Sequence, residues 1–162
     1  MERRDKTNYY LDIAQTVAQR GTCLRRKFGS AIVKNDEIIS TGFAGAPRGR
    51  ENCCDSGECI REKLNVPRGE RYELCRSVHS EANAIISAAR ADMIGATLYM
   101  VCLDAKTGEL VSGTCSCSMC KRLVINAGIE TVVVRDTRDS YTVFSVENWI
   151  ENDESLAGQK GY

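Results

Sequence analysis

The chain is organised around the stretch Arg76-Ser77-Val78-His79-Ser80-Glu81-Ala82-Asn83-Ala84-Ile85-Ile86. This stretch holds the only histidine in 162 residues, a glutamate two positions later, and then the apolar spacing of a buried helix. A second helical pattern opens at Cys117-Ser118-Met119-Cys120. Each of these two helices therefore begins with side chains that can ligate a metal ion.

The remaining sequence predicts alternating helices and strands around these two helices. This order is typical of an α/β fold with one central sheet and helices on both faces. Residues 153–162 are predicted to be a frayed tail. The first predicted elements are a helix over 7–20, capped by Thr7 or Asn8 and stopped by Gly21, and a hairpin of 28–33 and 37–43 that turns at Asn35-Asp36. A helix over 80–91, a strand over 96–103, a helix over 119–127 ended by Gly128 and a strand over 129–134 follow. The last elements are a short strand and a helical turn over 141–150, anchored by Trp149.

Length and composition narrow the class of protein. The length predicts one domain over residues 1–162. Lys+Arg and Asp+Glu both number 22, so long nucleic acid is not an expected partner. The charged N-terminus, and the lack of a run of about 20 apolar residues, predict no signal peptide, no membrane span and a cytoplasmic location. In a reducing compartment, nine cysteines that include a Cys-x-x-Cys pair indicate metal binding rather than disulfides.

The two helix starts together predict a catalytic zinc site. His79, Cys117 and Cys120 supply one imidazole and two thiolates, which match the three protein ligands of a catalytic zinc that keeps a position for water. Zinc lowers the pKa of such a water toward ~7. Glu81 lies too close to His79 along the chain to ligate the same ion easily, and we predict that it carries protons. The set predicts hydrolytic deamination of an amino-bearing aromatic carbon.

A different class of function remains open from these residues. A Cys-x-x-Cys pair is also typical of structural zinc, and a histidine before a helix is often only a satisfied polar residue. The protein would then be a non-catalytic interaction module stabilised by zinc. In such a module Glu81 has no role, so its substitution separates the two hypotheses.

The pattern His79-x-Glu81 followed by Cys117-x-x-Cys120 resembles the zinc deaminase signature. From about Tyr10 to Arg135 the chain is similar to the deoxycytidylate (dCMP) deaminase branch of the cytidine deaminase-like family. The motifs that carry the resemblance are Gly42-Phe43-Ala44-Gly45-Ala46-Pro47, Asn52-Cys53-Cys54-Asp55 and His79-Ser80-Glu81-Ala82-Asn83-Ala84.

The resemblance implies a three-layer α/β/α fold with about five strands and the conversion of dCMP to dUMP and ammonia. It also implies a homo-oligomer, either a dimer or a hexamer, with dCTP and dTTP as possible effectors. Mg²⁺ is expected only where a nucleotide triphosphate effector binds. Arg90 stands where related enzymes carry an arginine involved in subunit contact and regulation.

Three departures from the family pattern concern the substrate. Ser116 replaces the usual proline before the first thiol, Cys115 provides a rival Cys115-x-Cys117 pair, and residues 104–114 lengthen the approach to the thiols. Ala44 stands where the family has an asparagine similar to a sugar-contacting residue of its relatives. Ala44 and Ser116 are therefore candidate substrate-binding positions. A modified cytosine nucleotide, a free nucleoside and an adenine in RNA remain alternative substrates, although zero net charge disfavours RNA.

The other cysteines surround a poorly periodic, cysteine-rich loop over residues 50–78. Several relatives with a similar pattern hold a second, structural zinc there. The resemblance implies a site formed by Cys23, Cys53, Cys59 and Cys75, with Cys54 as the rival of Cys53. Alternatively, these cysteines are small buried apolar residues, and Cys102 is expected to be one in a strand.

Basic residues near the predicted first strand and in the Gly-rich loop are candidates for binding a phosphate. Arginine suits phosphate because its planar guanidinium donates several hydrogen bonds. We predict Arg26 and Arg48 as substrate-binding, although such clusters are often solvated surface. The clusters are Arg25, Arg26 and Lys27, and then Arg48 and Arg50.

Overall fold

The structure is a computed structural model that describes residues 1–157. Within these residues five strands form one mixed sheet in the order β2-β1-β3-β4-β5. Strands β3 and β4 are parallel, and every other neighbouring pair is antiparallel. The predicted five-stranded sheet is therefore confirmed. The strands are β1 (Arg26–Lys34), β2 (Glu37–Phe43), β3 (Thr97–Asp104), β4 (Thr131–Arg135) and β5 (Tyr141–Ser145).

Helices cover both faces of the sheet, which confirms the three-layer architecture. Helix α1 covers one face, whereas α4, α5, α6 and α7 contribute buried residues to the other. Helices α2 and α3 lie in the cysteine-rich segment. The helices are α1 (Lys6–Ala18), α2 (Cys53–Ser56), α3 (Ile60–Lys63), α4 (Ser80–Ile86), α5 (Arg90–Met93), α6 (Ser118–Ala127) and α7 (Val146–Glu151), with 3₁₀ turns at Tyr72–Leu74 and Glu154–Ala157.

The central strands are buried on both faces because successive side chains of a strand point in opposite directions. In β3, Tyr99 and Val101 pack on the α1 side, whereas Leu98 and Met100 pack on the α4 and α6 side. Cys102 is fully buried in the same strand, as predicted. Burial raises the pKa of its thiol to about 12, so Cys102 is an inert apolar residue.

Two glycines let helices approach the sheet closely. A Cβ atom on Gly29 would lie 2.7 Å from the Cα of Ala18 in α1. On the opposite face, a Cβ atom on Gly42 would lie 2.5 Å from the carbonyl oxygen of Ser80 in α4. The start of α4, and with it the central sequence stretch, is therefore seated directly on β2.

The predicted hairpin is confirmed, because β1 and β2 pair antiparallel across Asn35-Asp36. Both turn residues have positive φ angles, 51° and 63°, which is typical of a type I′ hairpin turn. Asp36 accepts a hydrogen bond from the hydroxyl of Tyr10 and pairs with Lys6 at 3.2 Å. These contacts join the turn to the first helix.

The predicted cap of the first helix is wrong. Asp5 is the N-cap residue, and its side chain accepts a hydrogen bond from the backbone N–H of Asn8 at 3.0 Å. Asn8 itself is 4% exposed and is committed to buried contacts. The helix ends at Ala18, before the predicted stop at Gly21.

The helix predicted over 80–91 is wrong beyond Ile86. The chain leaves helical geometry at Ser87 and starts the separate helix α5 at Arg90. The break brings Met93 into the core and lets the Nε of Arg90 donate to the carbonyl of Asn126 at 2.8 Å. Local helix propensity does not encode such tertiary contacts.

The C-terminal part packs as predicted up to α7. Trp149 packs against the core and lies under the ammonium of Lys121, whose Nζ is 5.1 Å from the ring centroid. Within the tail that is predicted to fray, Glu154–Ala157 forms an exposed 3₁₀ turn, and Lys121 pairs with Glu154 at 3.5 Å. Residues 158–162 lie outside the described residues.

None of the helices within residues 1–157 has the length and apolar content needed to cross a membrane.

Candidate active site

The start of α4 is anchored on both sides of His79. Before it, Val78 and Gly45 exchange two backbone hydrogen bonds of 2.7 and 3.2 Å. After it, the side-chain amide of Asn83 donates to the carbonyl of Phe43 at 2.7 Å and to that of Val78 at 3.3 Å. His79 is the N-cap residue, with φ −67° and ψ 155°, so its imidazole lies at the helix entry.

The start of α6 presents both thiols of the Cys-x-x-Cys pair. Cys117 is the N-cap residue, and its carbonyl accepts a hydrogen bond from the N–H of Lys121 at 2.9 Å. Cys120 follows in the first turn and is fully buried. The positive end of the helix dipole favours thiolates at both positions.

The three predicted ligands meet between these helix starts. The Nδ1 of His79 lies 3.5 Å from the Sγ of Cys117 and 3.4 Å from the Sγ of Cys120. The three ligand atoms lie within 4.8 Å of one another, and residues 1–157 contain no second compact group of this kind. One imidazole and two thiols fit a catalytic zinc, which takes three protein ligands. Cys115 is not a member of this group.

The electrostatics of the ligand group favour an imidazolium beside a thiolate. Burial lowers the pKa of His79, but hydrogen bonds to Cys117 and Cys75 and the charge of Glu81 raise it to about 10. The hydrogen bond with Cys120 lowers the pKa of Cys117 to about 4, while the same bond raises that of Cys120. Zinc requires neutral imidazole and thiolates, so its binding must release protons from this group.

Glu81 lies beside the ligand group but does not belong to it. Its side chain is 4% exposed, and its Oε2 accepts a hydrogen bond from the hydroxyl of Ser80 at 3.2 Å. The hydroxyls of Ser80 and Ser30 are 2.8 Å apart, and both residues are fully buried. A short chain of hydroxyls from β1 therefore orients the carboxylate.

A cavity of about 250 Å³ opens over His79, Glu81 and Cys117. Its walls come from the start of β1, the cysteine-rich segment and residues 112–115. Its lining residues are Cys23, Arg25, Arg26, Phe28, Ala44, Cys59, Arg61, Arg68, Tyr72, Cys75, Ser77, His79, Ser80, Glu81, Ser112, Gly113, Thr114, Cys115 and Cys117.

The polar excursion over residues 104–114 divides into two parts. Its first part is an exposed turn in which Asp104 accepts hydrogen bonds from the backbone N–H groups of Lys106 and Thr107. Its last part enters the cavity wall, where Gly113 is held by a hydrogen bond from its N–H to Asp136 at 3.1 Å. The end of the excursion therefore borders the active site.

The predicted substrate-binding residues are distributed unevenly. Arg26 and Ala44 line the cavity. Arg48 is exposed and is not among the lining residues. Ser116 is fully buried with an unpartnered hydroxyl, but it lies behind the lining rather than in it. Arg90 is also outside the cavity, because its guanidinium contacts the end of α6.

Four of the five cysteines around the long loop share one neighbourhood. Burial raises the pKa of Cys53, and the thiols of Cys23, Cys75 and Cys59 raise it further because they lie close to it. Cys54 differs, since it is exposed and its thiol faces the carboxylate of Asp55. The neighbourhood therefore contains the four cysteines of the predicted second site.

Several cavity residues were not predicted from the sequence. The hydroxyls of Ser77 and Thr114 are buried without a hydrogen-bond partner, and the ring of Tyr72 meets that of His79 edge-on at 5.4 Å. The position of Ser77, two residues before His79, was a usable signal. Thr114 and Arg61 carried none, because they lie in segments without periodicity.

A family model described as the cytidine and deoxycytidylate deaminase zinc-binding region matches residues 4–136. The chain is 38% identical over 138 residues to the deoxycytidylate deaminase of Mycobacterium phage D29, covering 82% of this chain and 96% of that protein. It is 30% identical over 137 residues to the deoxycytidylate deaminase of Schizosaccharomyces pombe, where it spans only 39% of the relative.

Solved structures share the fold. The dCMP deaminase of cyanophage S-TIM5 in complex with dCMP and dUMP aligns with a TM-score of 0.56 at 22% identity, over 85% of each chain. Cytidine deaminase from Burkholderia pseudomallei aligns with a TM-score of 0.54 at 17% identity, over 86% of this chain and 92% of the other. At these identities the likeness concerns the fold.

Proposed function

The chain belongs to the family of zinc-binding cytidine and deoxycytidylate deaminases, and from this premise we propose that it hydrolyses dCMP to dUMP and ammonia. The observation that carries the proposal is the buried carboxylate of Glu81 beside the His79, Cys117 and Cys120 group, at one cavity. The high coverage of the phage relative, itself a deoxycytidylate deaminase, supports the choice of substrate.

The roles of the residues follow from their positions. A zinc ion held by His79, Cys117 and Cys120 would supply the Lewis acid that activates a water molecule. Glu81 accepts the proton of that water and delivers it to the amino group that leaves, so the carbon loses ammonia and gains oxygen. Ser80 keeps the carboxylate oriented through its 3.2 Å hydrogen bond.

The test of this function is the substitution Glu81→Gln. Ammonia release from dCMP should fall by at least about a hundredfold, because the general acid and base is lost. Zinc content should not change, since Glu81 is not a ligand. Glu109→Gln, on the exposed part of the excursion, is the matched control.

The assay should include CMP, deoxycytidine, dCTP, 5-substituted dCMP and AMP beside dCMP. Preference for another member of this panel would support hydrolytic deamination but show that dCMP is not the substrate. Zinc-loaded wild-type protein that turns over none of them, or a Glu81→Gln variant of full activity, would contradict the proposal and favour the zinc-stabilised interaction module.

A second, structural zinc bound by Cys23, Cys53, Cys59 and Cys75 is also part of the proposal. Cys23, Cys59 and Cys75 line one cavity and raise the pKa of Cys53, which supports the site. Such a site would hold the cysteine-rich segment, which lacks a large apolar core of its own. Metal analysis should give two zinc ions per chain, and one after Cys59→Ser, while the control Cys54→Ser keeps two. One zinc in the wild-type protein would contradict this site.

We propose further that the protein is a homo-oligomer, either a dimer or a hexamer. Ile86 on α4 and Leu123 on α6 are apolar side chains that are 68% and 41% exposed. Light scattering on the purified chain should give a multiple of the monomer mass, and Leu123→Glu should reduce it. A monomer at micromolar concentration would contradict this proposal.

Regulation by dCTP and dTTP stays a prediction, as do the regulatory role of Arg90 and the cytoplasmic location. Assays with and without dCTP and Mg²⁺, on wild-type protein and Arg90→Gln, would measure the regulation. The contact of Arg90 with Asn126 supports a packing role between α5 and α6.

A further inference from the structure

The cavity is strongly basic in a protein of zero net charge. Four arginines line it, namely Arg25, Arg26, Arg61 and Arg68. Glu81 is the only carboxylate among its described lining residues. Because low-dielectric walls strengthen electrostatic interactions, this cavity favours an anionic ligand over a neutral one.

Arg61 is the arginine that is built into the wall. It is 5% exposed, and arginine is almost never fully buried unless its guanidinium has partners. Its Nη2 donates to the carbonyls of Pro67 and Glu70 at 3.0 and 2.6 Å. These two acceptors are neutral and orient the guanidinium, while the carboxylate of Glu73, whose pKa Arg61 helps to lower, is its charged neighbour.

Arg61 also has a buried donor without a partner. Its Nε is buried and has no hydrogen-bond partner. An unsatisfied buried donor costs free energy, so a bound acceptor at this position is favoured. Planar guanidinium groups bind phosphate oxygens well because several of their donors point in fixed directions.

The ring of Tyr72 connects Arg61 to the metal ligands. The guanidinium lies 4.4 Å from the centroid of the Tyr72 ring, and the same ring meets His79 at 5.4 Å. One aromatic ring therefore separates the cationic wall from the group at which deamination takes place. A ligand that reaches both must carry an anionic group some distance from its reacting ring.

The remaining arginines are less suited to this task. Arg25 pairs with Glu62 at 3.3 Å, which neutralises it in part. Arg68 is exposed at the rim. Arg26 is partly buried at the start of β1 and lines the cavity.

We propose that Arg61, with Arg26, binds the phosphate of the substrate, so that the cysteine-rich segment selects a nucleotide over the free nucleoside. The inference rests on the proposed deaminase function. It gives the segment over residues 50–78 a role in substrate recognition, and its metal site would then hold Arg61 in place.

The experiment compares kcat/KM for dCMP and for deoxycytidine in zinc-loaded protein. In Arg61→Gln, kcat/KM for dCMP should fall on the order of 10- to 100-fold, because a hydrogen bond to a charged group is lost. The kcat/KM of Arg61→Gln for deoxycytidine should stay within about twofold of the wild-type value. Lys63→Gln removes a positive charge from an exposed site on the same helix, α3, and is the matched control.

If Arg61 had only a structural role, its substitution would lower kcat/KM for dCMP and for deoxycytidine equally. That result would overturn the proposal. So would an Arg61→Gln variant with unchanged dCMP turnover. If Arg61→Gln fails to fold, by circular dichroism, Arg26→Gln provides the same comparison of the two substrates.

Binding separates this proposal from the proposed reaction. Calorimetry should show that zinc-loaded Glu81→Gln binds dUMP more tightly than deoxyuridine, and that Arg61→Gln in this background removes the difference. This outcome would support the phosphate site even if wild-type protein deaminated none of the substrates. Equal affinity for dUMP and deoxyuridine before the Arg61 substitution would overturn it.

Discussion

Among residues 1–157, Arg135 is the largest fully buried side chain, with 1% exposure at the end of β4. Its guanidinium donates to the side chain of Gln15 at 2.8 Å and pairs with Asp12 at 2.8 Å. Asp12 also accepts from the Nε of Arg4 at 3.0 Å. Asp12 lies on the surface of α1, and its carboxylate compensates the buried positive charge of Arg135. Removing this carboxylate leaves Arg135 with fewer partners.

Asp12→Asn should destabilise the protein by about 1 kcal/mol at pH 7, a modest figure because solvent screens this half-exposed carboxylate. Partial burial raises the pKa of Asp12, but Arg4 and Arg135 lower it overall. Since the folded-state pKa is lowered, the stabilisation is complete above the unfolded value of about 4. This stabilisation is lost as the pH falls through the lower pKa that Asp12 has in the folded protein.

Urea unfolding of wild-type protein and Asp12→Asn at several pH values between 7 and about 3 would measure this difference. The difference in the free energy of unfolding between the two proteins should become smaller at the lowest pH values. Glu2→Gln, at an exposed N-terminal site, is the control. A gap that widens as the pH falls would contradict the assigned role of Asp12.

At the scale of elements, the close approach of α4 to β2 controls the position of the ligand group. Gly42→Ala should push the start of α4 away from the sheet, because the new methyl group would meet the backbone of Ser80 and Ala84. We expect a loss of about 1 to 3 kcal/mol of stability from overpacking, and weaker zinc binding because His79 moves with the helix.

Gly29→Ala is the matched comparison for Gly42→Ala. It should also destabilise the protein, because its methyl group would meet α1, but it should leave zinc affinity nearly unchanged. Competition with a fluorescent chelator would measure the affinity of both variants. If Gly29→Ala and Gly42→Ala weakened zinc binding equally, the seating of α4 would not be the controlling contact.

The elements also show where local signals were sufficient. The Asn35-Asp36 turn and the end of α6 at Gly128, where φ is 83°, were predicted because these residues adopt positive φ readily. The break after Ile86 was not predicted, since alanines and isoleucines favour continuing the helix. Packing of Met93 on the core outweighed that preference.

At the scale of the whole molecule, zinc is expected to join the starts of α4 and α6, which also share one apolar core. Its removal should lower the melting temperature by on the order of 10 °C, because a ligand at about 1,000 times its Kd contributes about 4 kcal/mol. Thermal unfolding before and after chelation, and after zinc is restored, would measure the shift.

Cys120→Ser separates the contribution of this ion from that of a second one. The melting temperature of this variant should be lower than that of wild-type protein even before chelation. Adding zinc back should raise it by less than it raises that of the chelated wild-type protein. An equal recovery in the two proteins would mean that the stabilising ion lies elsewhere.

The sequence by itself determined the family, the α/β class and the donors His79, Cys117 and Cys120 with Glu81 beside them. These features are local, because the residue types and their spacing place each group at a helix start. Only the tertiary structure decided which side chains surround these groups. Arg61 and Thr114 reach the cavity from segments without periodicity, and Arg48 does not reach it. Contacts between segments distant in sequence set those positions, and no spacing within one segment encodes them.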